Sequence, residues 1–203
     1  MPLSSIVLFA AVYGVAVASF GPGVVALVAR VLARGPRGIP AFVAGFIVGD
    51  LVWFAIAATG FALLAQGVAP VFVAIRYVGA AYLAYLGWRA WTAPVEPLEG
   101  EPARGESGLR LFLGGLALTL GNPKVVLFFL ALLPSVIDLD HITPLGMVEV
   151  AVTIVVVLST TLAAYTLAAV RVRRLFVSVR ARRAVNRGAG TLMAGAALAV
   201  ATR

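Results

Sequence analysis

Two runs place unusual chemistry inside long apolar stretches: Asn122-Pro123-Lys124, and Asp50 within Gly45-Phe46-Ile47-Val48-Gly49-Asp50. Asn is a preferred helix N-cap and proline suits the first helical position, so Asn122-Pro123 reads as a helix starting afresh in mid-stretch. The free N–H groups and positive dipole end of such a start attract carboxylates and phosphates. Lys124 adds a full charge there, and an ammonium at the middle of a membrane helix costs about 2.5–3.5 kcal/mol on insertion scales. A residue that expensive normally faces a cavity and has a partner. Asp50 could be the counter-ion of Lys124, the binder of a substrate amine, or a proton carrier. A purely architectural Asp50–Lys124 pair is the bland alternative.

A second break stands a hundred residues earlier, at Gly21-Pro22-Gly23. Proline inside a helix removes a hydrogen bond and clashes with the preceding turn. In lipid, the freed groups must find partners within the protein or in trapped water. Gly21 can cap, Pro22 can begin a new turn, and Gly23 lets a ligand or another backbone approach. Alone this would read as a kink. Paired breaks in the two halves of a chain point instead to a transporter's binding site.

The elements that must position these residues are hydrophobic helices. Of 203 residues, 62% are hydrophobic and 12% charged, against roughly 25% charged in a soluble domain. Six apolar segments run near 5–29, 39–66, 68–91, 110–137, 145–170 and 185–202. A helix needs about 20 residues to cross the hydrocarbon. The sixth segment is rich in Gly and Ala, which suits close packing. Ala16-Val17-Ala18 looks like a signal-peptide cleavage site, but no Lys or Arg precedes it and the apolar run continues to Ala29, so a spanning first helix is expected. The expected fold is an all-α integral membrane protein of six transmembrane helices, with helices one and four broken at Pro22 and Pro123.

Arginines set the orientation. Arg30, Arg34 and Arg37 follow the first segment, Arg89, Arg104 and Arg110 flank the connection from third to fourth, and seven lie between Arg171 and Arg187. The alternate connections carry none. The positive-inside rule then puts both termini outside and these loops in the cytoplasm. The formal net charge of +8 is thus a topology signal, and no nucleic-acid partner is expected. The arginine-rich stretch could also meet anionic lipid head groups.

Residues 93–108 are rich in Pro, Glu and Gly and read as a linker between two halves, 1–92 and 109–203, of one transmembrane domain. Gly79-Ala80-Ala81-Tyr82-Leu83 parallels Gly188-Ala189-Gly190-Thr191-Leu192, as the two proline runs parallel each other. Three helices per half is an odd number, which gives an inverted repeat.

Other polar positions read as supporting parts. Ser159, Thr160 and Thr161 suit bonds to their own helix backbone. Tyr82, Tyr85, Trp88 and Trp91 suit packing and interfacial anchoring. Asp138, Asp140 and His141 read as a wet outer loop before a helix start at Thr143-Pro144. There is no cysteine and one histidine, so no metal site and no cofactor are expected.

Over essentially its whole length the chain resembles the LysE/RhtB group of amino-acid exporters. The resemblance rests on Gly21-Pro22-Gly23, on Gly45-x3-Gly49-Asp50, on Gly79-Ala80-Ala81-Tyr82-Leu83-x2-Leu86-Gly87, and on Thr119-Leu120-Gly121-Asn122-Pro123-Lys124. Phe129-Leu130-Ala131-x-Leu133-Pro134 and the stretch Asn186–Gly195 continue it. It implies a six-helix plasma-membrane protein that exports amino acids or close derivatives, driven by an ion gradient. Phe20 stands where family members often carry the first proline of Pro-Gly-Pro. From Thr153 to Leu167 there is no acid where many members have one. Asp50 would then serve coupling alone.

The resulting expectation is secondary-active export coupled to protons. Gly21, Pro22, Gly23, Asp50, Asn122, Pro123 and Lys124 would bind the substrate, and Asp50 would couple the ion. Export of another small solute or cation, or a cofactor-free membrane enzyme using Asp50 and Lys124 as acid and base, are the competing readings. Gly faces permit a homodimer without requiring one.

Overall fold

The computed structural model describes residues 1–19, 21–59, 107–139 and 142–175, together with isolated positions between 77 and 92 and between 183 and 198. All regular structure among them is helical. The expected third and sixth segments, and the linker 93–108, lie largely or wholly outside the described residues.

The first apolar segment is two helices. α1 spans Leu3–Ala18 and α2 spans Pro22–Arg34, with a bend of 57° between them. Gly21 caps α2 in an extended conformation and Pro22 is its first residue. α2 ends at Gly35, and the short connection to α3 (Ile39–Ala58) uses two left-handed glycines, Gly35 at φ 81° and Gly38 at φ 78°. A side chain at Gly35 would also collide with the guanidinium of Arg173.

The fourth segment breaks in the same way. α4 (Gly108–Leu120) stops at Gly121, and α5 (Pro123–Leu127) starts again after a bend of 54°. α5 runs into a π-helical turn at Phe128–Leu132 and then α6 (Leu133–Val136). The widened turn was not expected from the sequence. Pro134 supplies the reason: its ring crowds the carbonyl four residues back, at Leu130, and a π turn relieves that clash. α7 is the long helix Pro144–Leu175. It begins as expected, with the Thr143 hydroxyl accepting the Gly146 N–H at 3.1 Å.

Two helices, α3 and α7, are each long and apolar enough to cross a membrane. The bent pairs α1–α2 and α4 through α6 bring the candidate spans to four among the described residues. The tightest packing joins α3 to α4, across the two halves of the chain. A Cβ at Gly45 would strike the Phe112 carbonyl, and one at Gly115 would strike the Phe42 carbonyl. Gly49 lies beside Thr119, where a Cβ would come within 2.7 Å of the threonine Cβ. The small-residue pair on α3 thus meets a small residue on α4, so that backbone rests on backbone. α1, α2 and α3 all pack against α7. The core between them holds Phe9, Tyr13, Phe42, Trp53, Phe129 and Ile154, all nearly inaccessible.

Candidate functional site

The two breaks meet. Gly21 and Gly23 from the first, Asn122 and Lys124 from the second, and Asp50 from α3 line one cavity. Its volume is about 70 Å³ and it is partly open to the surroundings, tighter than the roughly 300–1,000 Å³ usual for small-molecule sites. Pro22 and Pro123 do not line it; each is the first residue of the helix behind a lining residue. Their part is geometric, setting where α2 and α5 begin.

Asn122 does what its type suggests. Its side-chain oxygen accepts the Lys124 N–H at 3.1 Å, satisfying one of the free donors of α5. It is buried, as is Thr119 one turn earlier. Lys124 reaches across the chain to the other break. Its ammonium donates to the Ser19 carbonyl at 2.7 Å, and its side chain lies against Gly21. A cation thus sits on the carbonyl end of α1, where the helix dipole is negative. The neighbouring carbonyl, that of Ala18, accepts the hydroxyl of Tyr165 at 2.5 Å. Two of the carbonyls freed by the break in the first half are therefore held by side chains of the second, while the Ser19 hydroxyl holds that of Ala16.

Asp50 is 4% exposed and accepts the hydroxyl of Tyr13 at 2.5 Å. Tyr13 is locked by aromatic neighbours. It stacks on Phe9 at 5.5 Å between centroids, and packs on Phe128 at 5.3 Å and Phe129 at 6.1 Å. Those two phenylalanines open the π turn. Asp50 and Lys124 share the cavity without being joined in an ion pair; an ion pair elsewhere joins the Met1 ammonium to Glu149, at 2.7 Å.

The structure thus brings together Gly21, Gly23, Asp50, Asn122 and Lys124. It adds Tyr13 and Tyr165, which the sequence reading passed over. Tyr13 could have been noticed as a lone phenol inside the first apolar segment. Tyr165 carries no such signal, since its partner is a backbone carbonyl 147 residues away. Thr160 bonds to the Val156 and Val157 carbonyls of its own helix, and Tyr85, Trp88 and Trp91 are exposed. Asp140 and His141 lie outside the described residues.

Apolar helices, two of them broken beside one cavity with an acid and a base among its described lining residues, define an all-helical membrane protein. The chain belongs to the family of LysE type translocators, whose model matches residues 15–203. An uncharacterized membrane protein of Synechocystis sp. is 30% identical over 149 residues, covering 73% of this chain and 72% of that protein. The leucine efflux protein of Klebsiella pneumoniae subsp. pneumoniae is 29% identical over 125 residues, covering 61% of this chain and 59% of its own length. The chemotactic transduction protein ChpE of Pseudomonas aeruginosa is 35% identical over 88 residues, 43% of each chain. The matched stretches thus cover less than two thirds of the last two relatives. No solved structure matches the chain significantly.

Proposed function

We propose that this translocator is a secondary-active exporter of amino acids or close derivatives across the plasma membrane, coupled to the proton gradient. The observation that carries the proposal is the cavity at the two helix breaks, with one carboxylate and one ammonium on its lining. That pair of charges complements the two charged ends of an α-amino acid. The family's description as translocators and the efflux named for the Klebsiella relative support the same reading.

In this mechanism the substrate carboxylate docks at the helix starts behind Gly21 and Asn122, beside Lys124. The starts at Pro22 and Pro123 aim N–H groups and positive dipole ends at it. Asp50 takes the substrate ammonium or, alternately, a proton. Six helices form one domain of two inverted halves, 1–92 and 109–203, joined by 93–108, with both termini outside. Rocking of one half against the other exposes the site in turn to each side.

The test is counterflow in proteoliposomes with a panel of labelled amino acids, comparing wild type with Lys124→Met. Saturable exchange of an amino-acid class, lost in the variant, is the expected result. Wild-type exchange by both Lys124→Met and Asp50→Asn would sink the site assignment.

A further inference from the structure

We infer that the transported amino acid carries an uncharged, apolar side chain. The inference rests on the exporter reading above and narrows it, from the inventory of groups around the cavity.

Ionised groups come first. Among the described lining residues there are two, Asp50 and Lys124. Each is already partly engaged by the protein: Tyr13 donates to Asp50, and Lys124 donates to the Ser19 carbonyl. A carboxylate has about four acceptor sites and an ammonium three donors. Asp50 therefore keeps capacity for one ammonium, and Lys124 for one carboxylate. A zwitterion uses both. A lysine- or arginine-like side chain would bring a second cation with no second acid among the described lining residues to meet it, in a cavity where Lys124 already repels it. A glutamate-like side chain would bring a second anion with no second base among the described lining residues. A charge desolvated without a partner is strongly disfavoured.

The rest of the wall decides the side chain. Val24, Phe46, Phe128, Phe129, Leu158 and Leu162 line the same space, and all are buried. They come from α2, α3, the π turn and α7, so the apolar surface surrounds the solute from several elements. Leu158 and Leu162 lie four apart on α7 and present adjacent side chains. The polar lining groups, Tyr13, Thr119 and Asn122, lie on the elements that carry Asp50's partner and the second break. An aliphatic or aromatic side chain gains contact with that wall, whereas a charged one leaves water for it without compensation.

The experiment is counterflow in proteoliposomes holding the full chain, with labelled leucine, phenylalanine, serine, lysine and glutamate compared as kcat/KM. The expected result is a preference for leucine or phenylalanine of about a hundredfold over lysine and glutamate, and about tenfold over serine. Saturable exchange of lysine, glutamate or serine as efficient as that of leucine would overturn the inference and leave the exporter reading standing. No exchange of any amino acid, by protein shown to be folded and inserted, would overturn both. Leu162→Glu supplies the missing second acid and is expected to raise lysine relative to leucine by about tenfold. Should that variant fail to fold, Leu162→Ala serves in its place: more room beside the wall is expected to favour phenylalanine over leucine compared with wild type. An unchanged ratio there would count against an apolar subsite at this wall.

Discussion

The hydroxyl of Tyr13 donates to the carboxylate of Asp50 at 2.5 Å, tying α1 to α3 at the floor of the cavity. Both residues are almost fully buried, and the phenol ring is held by Phe9, Phe128 and Phe129. The phenol occupies one of the positions around Asp50 that the ammonium of the proposed substrate would share.

Tyr13→Phe keeps the ring packing and removes the donor. Hydrogen bonds to charged groups contribute about 1.5–3 kcal/mol, so thermal unfolding in detergent is expected to shift downward by that order. Asp50→Asn keeps an acceptor for Tyr13, so its unfolding temperature should move less while its exchange activity is lost. Equal destabilisation by both changes would show that the Tyr13 bond does not distinguish them.

Lys124→Met removes the ammonium that lies on the Ser19 carbonyl and faces the cavity. Lys124 is half-buried, and a hydrogen bond made by a charged group contributes about 1.5–3 kcal/mol, which corresponds to a drop of roughly tenfold or more in kcat/KM. Counterflow kinetics measure it. A fall smaller than threefold would place Lys124 outside the transport cycle.

Tyr165→Phe leaves the Ala18 carbonyl without its hydroxyl donor. The expected loss of stability is about 1 kcal/mol, that of a single neutral hydrogen bond. Because Tyr165 does not line the cavity, its effect should appear as faster hydrogen exchange around residues 18–22, with KM unchanged within about twofold.

Gly115→Ala puts a methyl group into the Phe42 carbonyl across the α3–α4 contact. Overpacking of this kind costs about 1–3 kcal/mol, read as a lower unfolding temperature. Gly195→Ala is the control, since a Cβ there meets nothing within 4 Å; it should leave that temperature within about 1–2 °C of wild type, or raise it through helix propensity.

Much of this was legible from residue types with local consequences. Asn122-Pro123 and Gly21-Pro22 announce helix starts because capping and proline geometry act within a few residues, and the structure restarts both helices there. Gly45 and Gly49 announce a close contact, though not its partner. Gly115 on α4 could not be singled out, because α4 carries another glycine, Gly114, beside it and only the crossing geometry chooses between them. The long-range pairs were illegible for a different reason. Tyr13–Asp50, Lys124–Ser19 and Tyr165–Ala18 each join groups brought together only by the packed fold, and two of the three acceptors are backbone carbonyls with no residue signature. The π turn depends on how Pro134 resolves its clash.

The carbonyls of Ala18 and Ser19 bear on how the chain is made. Their partners, Tyr165 and Lys124, are synthesised 147 and 105 residues later. While the ribosome is still adding the second half, the kink in the first helix pair holds two acceptors whose side-chain donors among the described residues are not yet made. Each unsatisfied group in hydrocarbon costs several kcal/mol. The nascent kink must therefore wait in water, or beside the insertion machinery, until Lys124 and then Tyr165 arrive. The order of translation becomes an order of assembly, with α7 completing a helix that was begun first.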